Sequence, residues 1–350
     1  MAVPKTQRAI VLHTVGSPVV LEERPVPEPG EGQLLVKITV AGLNPHDQKV
    51  RDYGLFFDGK PYIMANDVAG EVVKLGPGSI AAKFAVGEHV FSQAFGPGPD
   101  TSGLQQYALL DARFTAKVAD TGVTDDEAAT IPGNAIAEYI GLFHATGLGL
   151  PAPTTPEAKS FDYASQSFLV IGGGSNTGHF AIELAKLAGF GRIVTVAGLR
   201  NEAELRAIGA THVVDRHADN VLEQIRAIVG DDLIYAVDVI NDGEHQELGV
   251  AALSNSKKGL LATLLPAEGS LDEKKIGPKK AGYERRFTFG ASALYPELTT
   301  PFWENLPRWI RNGDLTPTKY QVVEGLDPAR MNGLLDLYKE GKGAKFNVHP

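Results

Sequence analysis

The chain has 350 residues, of which 43% are hydrophobic, with a formal net charge of -9 and no cysteine. This length exceeds the size at which one hydrophobic core usually stops growing, so two domains are expected. Acidic and basic residues are mixed, which argues against nucleic acid as a partner, and the absence of cysteine excludes disulfides and cysteine-ligated zinc. The chain shows neither the apolar core of a signal peptide nor an apolar run of roughly 20 residues, so a cytoplasmic protein without a membrane partner is expected.

Residues 1–130 are predicted to form a β-rich domain. Short apolar and β-branched runs are separated by turns rich in Pro and Gly, such as ERPVPEPGEG and FGPGPDTSG. The runs are RAIVLHTV, QLLVKITVAGL, VAGEVVKLG, EHVFSQ and LQQYALL.

Residues 131–299 are predicted to form a doubly wound parallel sheet, because strands alternate with helices. Strands are predicted at 168–171, 192–197, 212–214, 233–240 and 258–265, and helices include 177–189 and 219–229. Residues 300–350 contain two helices and two short strands, PFWENLPRWIRNG, TKYQVVEG, ARMNGLLDLYKEGK and AKFNVH. This segment is too small for its own core and is predicted to pack onto the first domain.

A glycine cluster joins the first predicted strand of the α/β domain to a helix. Residues 168–180 read FLVIGGGSNTGHF, and such a junction lets backbone N–H groups and a helix N-terminus approach a pyrophosphate. The pattern departs from strict GxGxxG, so a turn that only reverses the chain is the alternative. The predicted cofactor-binding residues are Gly172, Gly173, Gly174, Ser175, Asn176, Thr177 and Gly178.

The end of the second strand of this domain indicates the cofactor. Folds that select NAD usually place an acid there, whereas this strand runs into Ala-Gly-Leu and then Arg200 and Asn201. A guanidinium pairs with a 2′-phosphate, so NADPH is the predicted cofactor. The alternative is that Arg200 is a solvated residue at a helix start.

Taken together, these segments resemble the medium-chain dehydrogenase/reductases, specifically the zinc-free quinone oxidoreductase and enoyl reductase branch, which includes fungal trans-acting enoyl reductases. The resemblance implies a GroES-like domain closed by the C-terminal segment, a Rossmann domain inserted between, and hydride transfer in the cleft separating them. Its carriers, in order, are AGLNPHDQKVRDYG, ANDVAGEVVKLGPGS, FAVGEHVF, LQQYALLD, DDEAATIPGNAIAEYIGLF, the glycine loop and RAIGATHVVD.

The resemblance also implies that no metal is bound. In the zinc-dependent branch a cysteine stands where Asn44 stands here, and Gly-His-Glu stands where Ala65-Asn66-Asp67 stands. Both ligand types are replaced by amides, and the nine histidines show no ligand spacing.

Without a metal, a conjugated enone or a quinone is the substrate class that needs least Lewis-acid help. Hydrogen-bond donors then stabilise the oxyanion, and the candidate catalytic residues are Tyr53, Lys49 and Asn44. Lys49 matches the lysine of the NPxDxK pattern in fungal enoyl reductases; the alternative is that it reaches solvent or pairs with Asp52. Asp47 is expected to anchor its own loop.

One position departs from the family. Many members carry Thr-Ala where this chain has Ala137-Glu138, and Glu138 is expected either to reshape substrate choice or to face water on its helix.

The predicted function is an NADPH-dependent, zinc-independent reductase of activated C=C bonds or quinones, acting on a small molecule. The alternatives are a zinc-free carbonyl reductase or alcohol dehydrogenase, and a dinucleotide-binding protein without turnover. Dimers are common in the family that the chain resembles, but the sequence does not fix a homodimer.

Overall fold

The structure is a computed structural model that describes residues 3–94, 96 and 98–350. It divides into two compact units, one made of Met1–Gly133 with Ala291–Pro350 and the other of Asn134–Gly290. The chain thus enters the first unit at Ala291, inside the range that the sequence assigned to the second domain. The reason is a tertiary contact: Ser292 donates hydrogen bonds from its backbone N–H and its hydroxyl to Gln93 Oε1, at 2.8 and 2.9 Å.

Helices and strands follow the chain in this order: β1 (Thr6–Val11), β2 (Val20–Pro25), β3 (Gln33–Leu43), α1 (Pro45–Tyr53), β4 (Asp67–Leu75), β5 (His89–Gln93), β6 (Tyr107–Asp111), β7 (Thr115–Lys117), α2 (Asp125–Ala128), α3 (Pro132–Phe143), β8 (Ser167–Ile171), α4 (Asn176–Ala188), β9 (Arg192–Ala197), α5 (Glu202–Ile208), β10 (His212–Asp215), α6 (Val221–Val229), β11 (Tyr235–Asp238), α7 (Glu247–Ala252), β12 (Gly259–Thr263), α8 (Glu273–Ile276), β13 (Tyr283–Phe287), α9 (Pro296–Asn312), β14 (Gln321–Glu324), α10 (Pro328–Lys339) and β15 (Phe346–His349).

The first unit is built on a mostly antiparallel sheet with the order β14-β15-β3-β4-β5-β7, in which β6 also pairs with β3. The last strand, β15, runs antiparallel to β3 with Phe346 opposite Leu43. Phe346 and Val348 are buried in the same apolar cluster as Leu34, Val36 and Ile63. The C-terminal segment therefore completes the core of this unit, and it does so by burying apolar side chains.

The second unit is an α/β domain with a six-stranded parallel sheet in the order β10-β9-β8-β11-β12-β13. The five predicted strands are present within a few residues of their expected bounds. Strand order reverses between β8 and β11, and in open parallel sheets the crevice outside the carboxyl ends of the strands at such a point binds ligands. The predicted fold class is confirmed.

The elements that the sequence did not predict include β2, β7, β13 and α1. Strand β13 has the sequence YERRF and lies at the edge of the sheet. An edge strand does not need to alternate apolar and polar residues, so β13 lacks the pattern by which strands are usually predicted. Helix α1 covers PHDQKVRDY, and its start does carry a signal, because Asn44 at the N-cap is followed by Pro45. Among the residues that the structure describes, no helix combines the length and apolar character needed to cross a membrane.

Candidate functional site

The glycine loop of the second unit has backbone angles and close contacts that require glycine. Gly172 has a φ of 93°, which favours glycine, and a Cβ at Gly178 would lie 2.3 Å from Gly172 O. A Cβ at Gly173 would lie 1.9 Å from Thr195 Oγ1 on β9. Gly173 and Gly178 therefore let the loop and α4 pack closely against each other and the sheet, although Gly178 comes one residue later than in GxGxxG.

Hydrogen bonds fix the start of α4. Ser175 is its N-cap: the hydroxyl accepts the Gly178 N–H at 3.0 Å and donates to Gly172 O at 2.8 Å. Thr177 donates its hydroxyl to Asn134 Oδ1 at 2.9 Å, which ties α4 to α3. The helix has 13 residues, and its N-terminus carries partial positive charge beside the loop.

A cavity of about 370 Å³ opens beside this loop, at the carboxyl ends of β8, β9 and β10. Of the predicted cofactor residues, the cavity wall includes Gly172, Gly174, Ser175, Arg200 and Asn201. The other four predicted residues do not line it. Gly173 and Gly178 are packing positions, Thr177 faces Asn134, and Asn176 is the first residue of α4, so these four support the loop around the cavity.

Two further groups of cavity residues were missed by sequence reasoning. Arg216 and His217 follow β10 and add a second guanidinium and an imidazole to the wall that holds Arg200. Leu199 and Ile240, both nearly half exposed, give the same cavity apolar walls. A usable signal existed, because the carboxyl ends of parallel strands β9 and β10 meet at one edge of the sheet.

The residues after β10 are held in place locally. Arg216 donates from Nε to His217 Nε2 at 3.0 Å, so this ring nitrogen is an acceptor. The Asp215 carboxylate, which also lines the cavity, accepts the His217 backbone N–H at 3.1 Å. Arg200 and Arg216 are both exposed, so their charge is open to an anionic ligand.

In the first unit, the N-terminus of α1 is anchored by a buried carboxylate. Asp47 accepts the Asn44 N–H at 2.7 Å and the Ala65 N–H at 2.9 Å, the latter at a residue with a φ of 69°. The expectation that Asp47 anchors its own loop is confirmed. Asn66 contacts the ring of His46 through Oδ1 at 2.9 Å.

Asn44 belongs to a buried charged cluster. Its Nδ2 donates to Asp67 Oδ2 at 2.7 Å, and its Oδ1 accepts from Lys345 Nζ at 3.2 Å. Lys345 is the residue that precedes β15. Its side chain is fully buried and forms an ion pair with Asp67. The second carboxylate oxygen of Asp67 accepts the Gly133 N–H at 2.5 Å.

This cluster does not fit the zinc of the zinc-dependent branch. Amides replace two of its ligands, and the ammonium of Lys345 already supplies the positive charge beside Asp67. A divalent cation at Asn44 would be repelled by that ammonium. Within the described part of the chain, no three His, Asp or Glu side chains gather as metal ligands.

Lys49 and Tyr53 lie one turn apart on one face of α1. The Tyr53 side chain is exposed, at 71%, and Lys49 is half-buried. Asp52 accepts hydrogen bonds from Arg51 Nε and Gln48 Nε2, each at 2.7 Å. Asp52 also lies 3.7 Å from Lys339 Nζ, so several cationic and amide side chains surround this carboxylate.

The surroundings of Glu138 exclude one of the two alternatives that the sequence left open. Its side chain is completely buried on α3, so the expectation that it faces water is wrong. Among the described residues, neither of its carboxylate oxygens has a hydrogen-bond partner. Burial alone raises the pKa of Glu138 to about 8.

The chain belongs to the medium-chain dehydrogenase/reductase superfamily and is an oxidoreductase. Sequence profiles of the alcohol dehydrogenase GroES-like domain and of the zinc-binding dehydrogenase domain match residues 30–125 and 177–281. The resemblance stated from the sequence is thereby confirmed.

The relatives of the chain include a fungal trans-enoyl reductase. The chain is 31% identical to trans-enoyl reductase thnE of Trichoderma harzianum, over 80% of this chain and 75% of that protein. It is 30% identical to Saccharomyces cerevisiae protein YNL134C over 98% and 97% of the two chains. A mycobacterial protein, Rv1454c, solved in complex with NADPH, shares the fold with a TM-score of 0.71 and 21% identity, covering 98% of this chain and all of that one.

Proposed function

We propose that this oxidoreductase is an NADPH-dependent, zinc-independent reductase that reduces an activated C=C bond, as in an enone or enoyl thioester, or a quinone. The observation that carries the cofactor assignment is the cavity beside the glycine loop. Arg200 follows β9, the strand after which an NAD-selective fold would present an acid to the ribose, and Arg216 lines the same cavity next to Asp215. When bound, NADPH supplies a hydride to the substrate.

The residues of the second unit have separate tasks in this proposal. The glycine loop and the α4 N-terminus receive the pyrophosphate, because Gly173 and Gly178 permit close packing there and the helix N-terminus carries partial positive charge. Arg200 and Arg216 pair with the 2′-phosphate, and Leu199 with Ile240 flanks the adenine ring. A neighbour of the same fold, Rv1454c, was solved with NADPH, which supports this cofactor.

Residues of the first unit support the proposed acceptor class. The Lys345–Asp67–Asn44 cluster leaves no Lewis acid at the family's zinc position, so the negative charge that hydride addition creates on oxygen needs hydrogen-bond donors. Lys49 and Tyr53 are the proposed donors, and Asn44 is held by its cluster as a third candidate. Relatives named as trans-enoyl reductases support an enoyl or enone acceptor.

Cofactor preference is the first test. NADPH is expected to bind about tenfold more tightly than NADH, because an exposed guanidinium–phosphate contact contributes roughly 1 kcal/mol. Arg200→Gln and Arg216→Gln should each weaken NADPH binding severalfold and leave the dissociation constant for NADH unchanged, as measured by fluorescence titration. Arg308→Gln, which removes an exposed arginine of the first unit bonded to Asn305, is the control. Equal affinity of the parent protein for both cofactors would contradict the assignment.

Metal independence and substrate class are tested together by following NADPH oxidation after exhaustive chelation. Turnover of an enone, an enoyl thioester or a quinone is expected to survive at the parent rate, because Lys345 leaves no place for the zinc. Turnover of saturated ketones alone would instead indicate a carbonyl reductase. Tight NADPH binding without any turnover would indicate a binding protein, and loss of activity that zinc restores would refute metal independence.

A further inference from the structure

The buried surroundings of Glu138 determine the protonation state of its carboxyl group. It lies on α3 one turn after Asn134, on the face that meets α4 through the Thr177–Asn134 hydrogen bond. Its Oε2 lies 3.9 Å from the position a Cβ would take at Gly141, so the side chain runs along its own helix. A buried carboxyl without a hydrogen-bond partner is stable only as the neutral acid, because ionisation there costs several kcal/mol.

The segment after β13 rests directly on the residue beside Glu138. A Cβ at Gly290 would lie 2.6 Å from both Cα and Cβ of Ala137, so this backbone touches α3. Thr288, two residues earlier, donates its N–H to Thr263 O at the end of β12, at 2.8 Å. Its buried hydroxyl, like the Glu138 carboxyl, has no partner among the described residues.

Residues 288–290 therefore occupy the carboxyl edge of the sheet beside β12. The cavity with Arg200 covers the ends of β8, β9 and β10, on one side of the point where strand order reverses. An extended dinucleotide that crosses this point reaches the ends of β11 and β12 with its other half. The contact between Ala137 and Gly290 thus lies beside the half of the sheet edge at which the proposed cofactor would place its nicotinamide.

No neighbouring charge compensates an ionised Glu138. Burial is the sole cause of its raised pKa, so no cation stabilises the carboxylate. The charged groups on the elements around α3 have partners of their own: His179 pairs with Glu183 at 3.2 Å, and Arg286 pairs with Glu284 and donates to Gly147 O. The titratable side chains of these elements include Tyr139, His144, Tyr163, His179, Glu183, Lys186, Tyr283, Glu284, Arg285 and Arg286.

We propose that Glu138 is a buried proton-binding residue that positions the nicotinamide side of the cofactor site. When Glu138 is protonated, α3 packs on residues 288–290. When Glu138 is ionised, its carboxylate draws water into the region of α3 and opens the contact between Ala137 and Gly290. The binding of NADPH is then weaker. This inference rests on the proposed cofactor, and Glu138 acts through the 288–290 segment as a positioning residue, without touching the cofactor.

The test compares the parent protein with Glu138→Gln, which keeps the shape but holds no titrating proton. Between pH 6 and pH 9 the dissociation constant for NADPH should rise about tenfold more for the parent, since about one tenth of a group with a pKa near 8 stays protonated at pH 9. The two proteins differ only at residue 138, so the ratio of their dissociation constants isolates the contribution of Glu138. A ratio independent of pH would overturn the proposal.

A second ligand shows which part of the cofactor site responds to the protonation of Glu138. The dissociation constant for 2′,5′-ADP, which fills only the Arg200 side of the site, should change with pH equally in both proteins. If 2′,5′-ADP shows the same excess weakening as NADPH, the unit loosens as a whole and the positioning role is wrong. Glu138→Ala, which restores the small residue of the family, replaces Glu138→Gln if the amide variant does not fold.

Urea unfolding without cofactor tests the proton site independently of the proposed function. The folded-state pKa of about 8 exceeds the ordinary carboxyl value of 4.5, so the unfolded chain holds fewer protons between these values and stability falls as pH rises through this window. The urea concentration at the midpoint of unfolding should therefore fall more for the parent than for Glu138→Gln between pH 6 and pH 9. Equal losses would show that Glu138 is not a buried proton site, whereas absence of NADPH binding at every pH would refute only the proposed cofactor.

Discussion

Lys345→Met is expected to lower the free energy of unfolding by about 3–5 kcal/mol, because it leaves the buried Asp67 carboxylate without its cation. The methionine fills most of the volume of the lysine stem, so the loss reports charge and hydrogen bonding more than packing. Asp67 keeps its hydrogen bonds from Asn44 and Gly133, which offset only part of the desolvation of a full charge. Urea denaturation at neutral pH measures the change.

Two variants complete this experiment. Asp67→Asn combined with Lys345→Met removes both charges, so it should recover part of the stability that Lys345→Met alone loses. Lys339→Met removes an exposed lysine that lies 3.7 Å from Asp52, and it should change stability by no more than about 0.5 kcal/mol. A Lys345→Met protein as stable as the Lys339→Met protein would mean that the ammonium does not hold this cluster together.

Lys49→Met and Tyr53→Phe are each expected to lower kcat on an enone by about 10²–10³, the usual effect of removing one donor from a preorganised oxyanion site. Tyr53→Phe keeps the ring and deletes the hydroxyl, while Lys49→Met keeps much of the stem and deletes the charge. Because both residues lie on α1 in the first unit, the dissociation constant for NADPH should not change. Steady-state kinetics and a cofactor titration on the same samples give both quantities.

The matched controls are Lys60→Met and Tyr320→Phe, which alter exposed residues of the first unit that are not part of α1. Both should turn over at the parent rate. If Lys49→Met and Tyr53→Phe raise KM while kcat stays near the parent value, the two residues only shape the substrate entrance. Parent kinetics in both variants would place the proton donor elsewhere.

The sequence alone was enough to predict the dinucleotide loop and the sheet that carries it. The signals are local, because the strand, the glycines and the N-cap Ser175 occur within 15 consecutive residues and each constrains the next through backbone sterics. Arg200 was found for the same reason, at a fixed distance along the chain. Arg216 was missed because its place beside Arg200 depends on the pairing of β10 with β9.

Composition determined one property of the first unit by itself: a chain without cysteine cannot form the family's usual cysteine-ligated zinc sites. What stands at the catalytic zinc position was decided by tertiary structure. Lys345 meets Asp67 across 278 residues of sequence because β15 pairs with β3, and no local pattern encodes that contact.

Glu138 shows the same division between sequence and tertiary structure. The sequence marks it as an unusual carboxylate on a helix, and helical periodicity places it on the face of Asn134. Whether that face meets water or other chain segments depends on where α4 and residues 288–290 come to lie, more than 100 residues away in the latter case. Burial, and with it the protonation state of Glu138, is a property of the surroundings of a group, and only the folded chain supplies those surroundings.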